Sequence, residues 1–97
     1  MSLEVSDIVR NENGRDAGRA FYVIALDGDY ALIADGRGRR LEKPKRKKLK
    51  HLGLIEKDDG RVAQKLRRGE KVTNGEIRRA LSDSESRNKA EGGMHNG

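Results

Sequence analysis

Residues 37–50 set nine cationic side chains, Arg37, Arg39, Arg40, Lys43, Lys45, Arg46, Lys47, Lys48 and Lys50, against one carboxylate, Glu42. That stretch holds +8, so the net charge of +6 leaves −2 on the rest of the chain. A cationic run on a near-neutral body suits a polyanionic partner, because each neutralised phosphate releases condensed counterions. The same run also suits a solvated loop or a nuclear-import patch, so its meaning depends on its neighbours. A second constellation lies upstream, at Gly14-Arg15-Asp16-Ala17-Gly18-Arg19. Gly14 and Gly18 allow a tight turn that presents backbone N–H groups to phosphate. Arg15 and Arg19 flank it and can fork onto phosphate oxygens. Hairpin punctuation is the competing role for the two glycines.

Other chemistry is missing. With no cysteine there is no disulfide framework, no Cys-based zinc site and no thiol nucleophile. His51 and His95 are the only imidazoles, and neither stands in a metal-binding or triad pattern. Gly69-Glu70-Lys71 ends like a phosphate-binding P-loop but lacks its upstream glycine. Asp27 and Asp29 bracket a hairpin glycine without forming a calcium loop, and Asp58 and Asp59 suit helix capping better than metal binding. The expectation is a protein with no catalytic function and no cofactor. The longest apolar run, residues 20–26, is far below the roughly 20 residues of a membrane span. Residues 1–4 lack the features of a secretory signal. A soluble, cytoplasmic protein, monomeric when free, is expected.

The elements that must position these residues follow from the hydrophobic period. Val5, Ile8 and Val9 read as a first strand, residues 11–19 as a loop, and residues 20–26 as a central strand. Asp27-Gly28-Asp29 signals a hairpin, with residues 30–34 as the return strand. A turn at 35–38, a fourth strand at 39–42, a corner at Pro44 and a last strand at 47–52 would complete a small barrel of about five strands. From Asp58 the period becomes helical: Val62, Ala63 and Leu66 precede a stop at Gly69, and either Asp58 or Asp59 is the expected cap. Thr73-Asn74-Gly75-Glu76 matches a capping box ahead of Ile77 and Leu81. Two such short helices form a hairpin that needs packing to persist. Residues 83–97 have almost nothing apolar and read as a disordered tail. The organisation expected is therefore a mainly β barrel at 1–56, a helical hairpin at 57–82 and a tail at 83–97. Of the three aromatics, one of Phe21 and Tyr22 should point outward, where a tyrosine could stack on an unpaired base.

Asp7-Ile8-Val9-Arg10 through Val23-Ile24, with the 14–19 loop between them, resembles the KOW motif of ribosomal proteins and transcription elongation factors. The strand spacing, the Gly18-Arg19 pair and Asp16 two residues before Gly18 carry the resemblance, while Ala17 stands where many members have lysine. Residues 30–36, 39–45 and 49–52 are similar to short bacterial KOW-domain proteins related to a large-subunit ribosomal protein of archaea and eukaryotes. The similarity spans residues 3–55, and residues 71–81 resemble the C-terminal part of those proteins. The resemblance implies an SH3-like barrel that binds RNA, with ribosomal RNA the expected partner. The binding residues would be Gly14, Arg15, Gly18, Arg19 and the nine cations at 37–50. A protein-interaction module of the transcription or translation machinery, docking ribosomal proteins through the helical hairpin, is the alternative. Binding of double-stranded DNA ranks below both, since no recognition helix stands out.

Overall fold

The computed structural model describes residues 2–14 and 17–96, with side chains as far as Lys89. Five strands form one antiparallel sheet: β1 (Asp7–Asn11), β2 (Ala20–Asp27), β3 (Tyr30–Ala34), β4 (Lys45–Lys48) and β5 (Leu52–Lys57). Their order is β4-β3-β2-β1-β5, which puts the apolar, β-branched β2 at the centre as its composition predicts. Asp27 pairs with Tyr30 across a two-residue turn, where Gly28 takes a φ of 59°. Val5 falls in a turn ahead of β1 instead of in the first strand, with Ser6 at a φ of 79°.

Two expected strands are redrawn. Residues 39–42 form no strand, because their backbone donors are already engaged. The Arg39 N–H donates to Asp35 Oδ1 and the Leu41 N–H to Asn74 Oδ1. The fourth strand is the Lys45–Lys48 run, and the expected last strand breaks at a 3-10 turn, Leu49–His51. β5 then continues to Lys57. The expected closed barrel is also corrected: β4 and β5 are the two edges of an open sheet and share no ladder.

Strand alternation sorts the apolar side chains into two clusters. Val9, Phe21, Val23, Ala31, Ile33 and Leu52 fill one face. Ile8 and Tyr22 point to the other, where Ile77 meets them. Helix α1 (Arg61–Arg68) and helix α2 (Asn74–Asn96) roof this second face with Val62, Leu66, Ala80 and Leu81. The outward-pointing aromatic is thus Tyr22, yet it is fully buried, as is Phe21. The helices occupy the surface on which a base would have stacked.

Helix boundaries follow the sequence signals closely, with two exceptions. α1 stops where Gly69 turns left-handed at a φ of 71°. Before α2, the Thr73 N–H donates to Glu76 Oε1 at 3.0 Å and the Glu76 N–H to Thr73 Oγ1 at 3.1 Å, the reciprocal pair of a capping box. Neither aspartate caps α1, whose N-cap is Gly60. Asp58 instead accepts the Tyr22 hydroxyl proton at 2.6 Å, and Asp59 accepts from Arg67 at 3.0 Å. The second exception is the expected disordered tail, because α2 runs through it to Asn96. Its continuation is tied to β5. Ser84 Oγ donates to Glu56 at 2.6 Å and Arg87 Nη2 grips both oxygens of the same carboxylate at 3.1 and 3.0 Å.

Burial first, and then the hydrogen bond to Asp58, push the Tyr22 phenol far above its ordinary value. A group whose folded pKa is raised contributes stability that is complete below its unfolded pKa and declines above it. Tyr22→Phe should therefore lower stability at neutral pH by about 1–3 kcal/mol. It should also flatten the loss of stability above about pH 10, measured by denaturant titration at each pH.

Candidate nucleic-acid interface

The cationic stretch at 37–50 begins in a turn built around one carboxylate. Asp35, 5% exposed, follows β3 directly. Its Oδ1 accepts the backbone N–H groups of Arg37 and Arg39, both at 2.9 Å. The Asp35 N–H in turn donates to the Arg39 carbonyl at 2.8 Å, closing the turn from the other side. The backbone is thus wrapped around Asp35, and the side chains of Arg37 and Arg40 stand exposed outside it. Asp35 Oδ2 accepts from Arg19 at 3.0 Å, which ties the β1–β2 loop to the turn. A buried carboxylate with this many donors is fully compensated, and charge-assisted bonds of this kind are the strong ones.

Helix α2 clamps the same turn. Asn74 accepts the Leu41 N–H at 2.8 Å and donates to Glu42 at 2.6 Å, while Arg78 Nη1 donates to the Gly36 carbonyl at 2.7 Å. Gly36 sits at a φ of 76°, and a Cβ there would run into the Asn74 carbonyl. The hydrogen bond from Asn74, ahead of Arg40 as the neighbouring charge, holds the Glu42 carboxyl below the ordinary carboxylate range.

β4 carries the rest of the run, and its period of two divides it. Arg46 and Lys48 share a face with Tyr30, since Tyr30 pairs with Lys48 and Leu32 with Arg46. The Arg46 guanidinium lies 3.7 Å from the centroid of the Tyr30 ring, with the Lys48 ammonium at 6.0 Å. Arg46 also meets Asp27 at 3.5 Å, a contact exposed enough to contribute little. Lys45 and Lys47 lie on the opposite face, opposite Ile33 and Ala31. From there Lys47 Nζ donates to the Asn13 carbonyl at 3.2 Å, beside Gly14, so the edge strand reaches the β1–β2 loop. Four consecutive cations on an edge strand also discourage pairing with another chain.

The predicted residues thus come together in part. Gly18, Arg19 and the turn bearing Arg37 and Arg39 are joined through Asp35, and Gly14 is approached by Lys47. Gly14 and Gly18 take φ of 84° and 88°, the left-handed angles the loop needs. Arg40 pairs with Glu42 at 3.3 Å, Lys43 is exposed before Pro44, and Lys50 is exposed in the 3-10 turn. Arg15 lies outside the described residues. The positioning residues Asp35, Asn74 and Arg78 escaped the sequence reading. Asp35-Gly36 is legible only as a turn, and nothing in the sequence marks a bond spanning 33 residues from Asn74 to Leu41. Among the described residues no cluster of His, Cys, Asp or Glu could hold a metal ion, and no helix is long and apolar enough to cross a membrane. No protein-family model matches the chain, and no curated protein matches it.

Asp35→Ala should cost about 2–4 kcal/mol and abolish hydrogen-exchange protection at the Arg37 and Arg39 amides. Asp27→Ala removes only an exposed partner of Arg46 and should cost under about 1 kcal/mol in the same denaturation assay.

Proposed function

We propose that this chain is a non-catalytic RNA-binding protein of the KOW type, associated with the ribosome or its assembly. One observation carries the reading: Asp35 and Lys47 draw the β1–β2 loop, the arginine turn and the basic edge strand into neighbouring positions. Arg19, the arginines of the 35–40 turn and Lys47, far apart in the chain, are thereby brought near one another. Four strands in meander order, with β5 returning beside β1 after a 3-10 turn, support the SH3-like topology that the resemblance implies. Docking would rest on the sugar-phosphate backbone, because the buried Tyr22 offers no stacking surface and Tyr30 is already covered by Arg46. The helical hairpin is less suited to a protein partner than its sequence implies. Its apolar side chains Val62, Leu66 and Ile77 are packed on the sheet.

Binding to ribosomal RNA should weaken steeply with salt, with a log–log slope of about −3 to −6 if four to seven phosphates are engaged. Joint charge reversal at Arg37, Arg39 and Arg40 should weaken binding and leave the circular dichroism spectrum unchanged. Affinity that is flat between about 50 and 300 mM salt would exclude electrostatic docking.

A further inference from the structure

α2 does more than clamp the arginine turn, for between it and the sheet lies an open groove of about 800 Å³. Arginines from four separate elements line it: Arg10 on β1, Arg19 in the β1–β2 loop, Arg37 in the turn after β3 and Arg78 on α2. Two carboxylates share the lining: Asp35 is turned onto Arg19 and the backbone of its own turn, and the exposed Glu85 has only a 3.8 Å contact with Lys89. Arg78 is held on the Gly36 carbonyl, and Arg10 has only a 3.8 Å contact with Glu12, both side chains half exposed.

The chemistry differs from that of the β4 edge. The edge is mostly lysine, a point charge suited to tracking a backbone, whereas the groove is mostly arginine, whose planar fork binds phosphate and stacks on bases. Ile55 and Leu81, both half-buried, supply an apolar floor, with the exposed Ser82 able to hydrogen-bond along α2. A continuous duplex presents phosphates without exposing base faces, so it would leave such a floor unused. Unpaired nucleotides present both. We infer that this groove seats an unpaired segment of RNA, its phosphates on Arg10, Arg37 and Arg78 and its bases against the apolar floor. The inference rests on the RNA-binding reading and extends it: the groove shares Gly18, Arg19 and Arg37 with the expected interface, and adds Arg10, Arg78 and one face of α2.

The test uses two RNAs, a hairpin with an unpaired loop and a blunt duplex of the same stem, followed by fluorescence anisotropy on the full chain. Two variants probe the groove by different means. Arg10→Glu with Lys89→Glu reverses charge at exposed positions. Ser82→Cys, labelled with a bulky maleimide, plugs the groove at unchanged charge, which the absence of native cysteine makes selective. Both should keep the wild-type denaturation midpoint. The expected result is a loss of about tenfold or more for the hairpin in both variants, with less than about a twofold change for the duplex in the plugged protein. A plugged protein that binds the hairpin as wild type does, or that loses both RNAs equally, overturns the inference while RNA binding stands. Groove amides that shift with an oligoglutamate peptide and not with the hairpin assign the groove to an acidic protein, and also overturn it. A wild-type chain that binds neither RNA defeats the RNA reading itself and this inference with it.

Discussion

The carboxylate of Asp35 is the point on which the cationic surface depends. Gathering many like charges is unfavourable unless something of opposite sign organises them, and here a single buried acid does so. It receives two backbone N–H groups from the turn and the guanidinium of Arg19 from the neighbouring loop. Its Oδ1 is taken by the two backbone N–H groups and its Oδ2 by Arg19, and the side chains of Arg37 and Arg40 stand exposed outside the turn. A flexible basic segment would lose conformational entropy on meeting a polyanion, whereas this turn is ordered beforehand.

The helices make that arrangement durable. Ile77 enters the outer cluster beside Ile8 and Tyr22, which fixes the start of α2 over the sheet. Once there, Asn74 and Arg78 reach the turn, and Gly36 permits a backbone approach that any larger residue would block. Further along, Ser84 and Arg87 meet Glu56 on β5, so a stretch with almost no apolar residues is still held against the domain. Hydrophobic burial places the helix and directional hydrogen bonds set its register. The groove between helix and sheet is a by-product of that placement, and four arginines line it.

Much of the architecture was legible from local pattern. The alternation at 20–26 and 30–34, the Gly28 hairpin, the Gly69 stop and the Thr73–Glu76 box are short-range signals, and each determines its own geometry. The fourth strand was misplaced because residues 39–42 have ordinary strand character, but their donors are claimed by Asp35 and Asn74. The tail was misread for a similar reason. Its composition lacks a buried face, and what holds it is a contact with Glu56, 28 residues earlier than Ser84. Phe21 and Tyr22 were expected to divide between core and surface. The alternation was right: Phe21 joins the first cluster, and the roof of helices buries Tyr22 on the other face.

Local sequence therefore settled which residues carry charge, the hairpin at Gly28, the central strands and the boundary between the two helices, since those properties depend on near neighbours. It also located the loop and the basic run on which the RNA reading rests. The grouping of those cations followed from contacts between residues far apart in the chain: Arg19 with Asp35, Lys47 with Asn13, Arg78 with Gly36. Such pairings form only when packing brings the partners within hydrogen-bonding reach, so the grouping of the cations belongs to the tertiary fold.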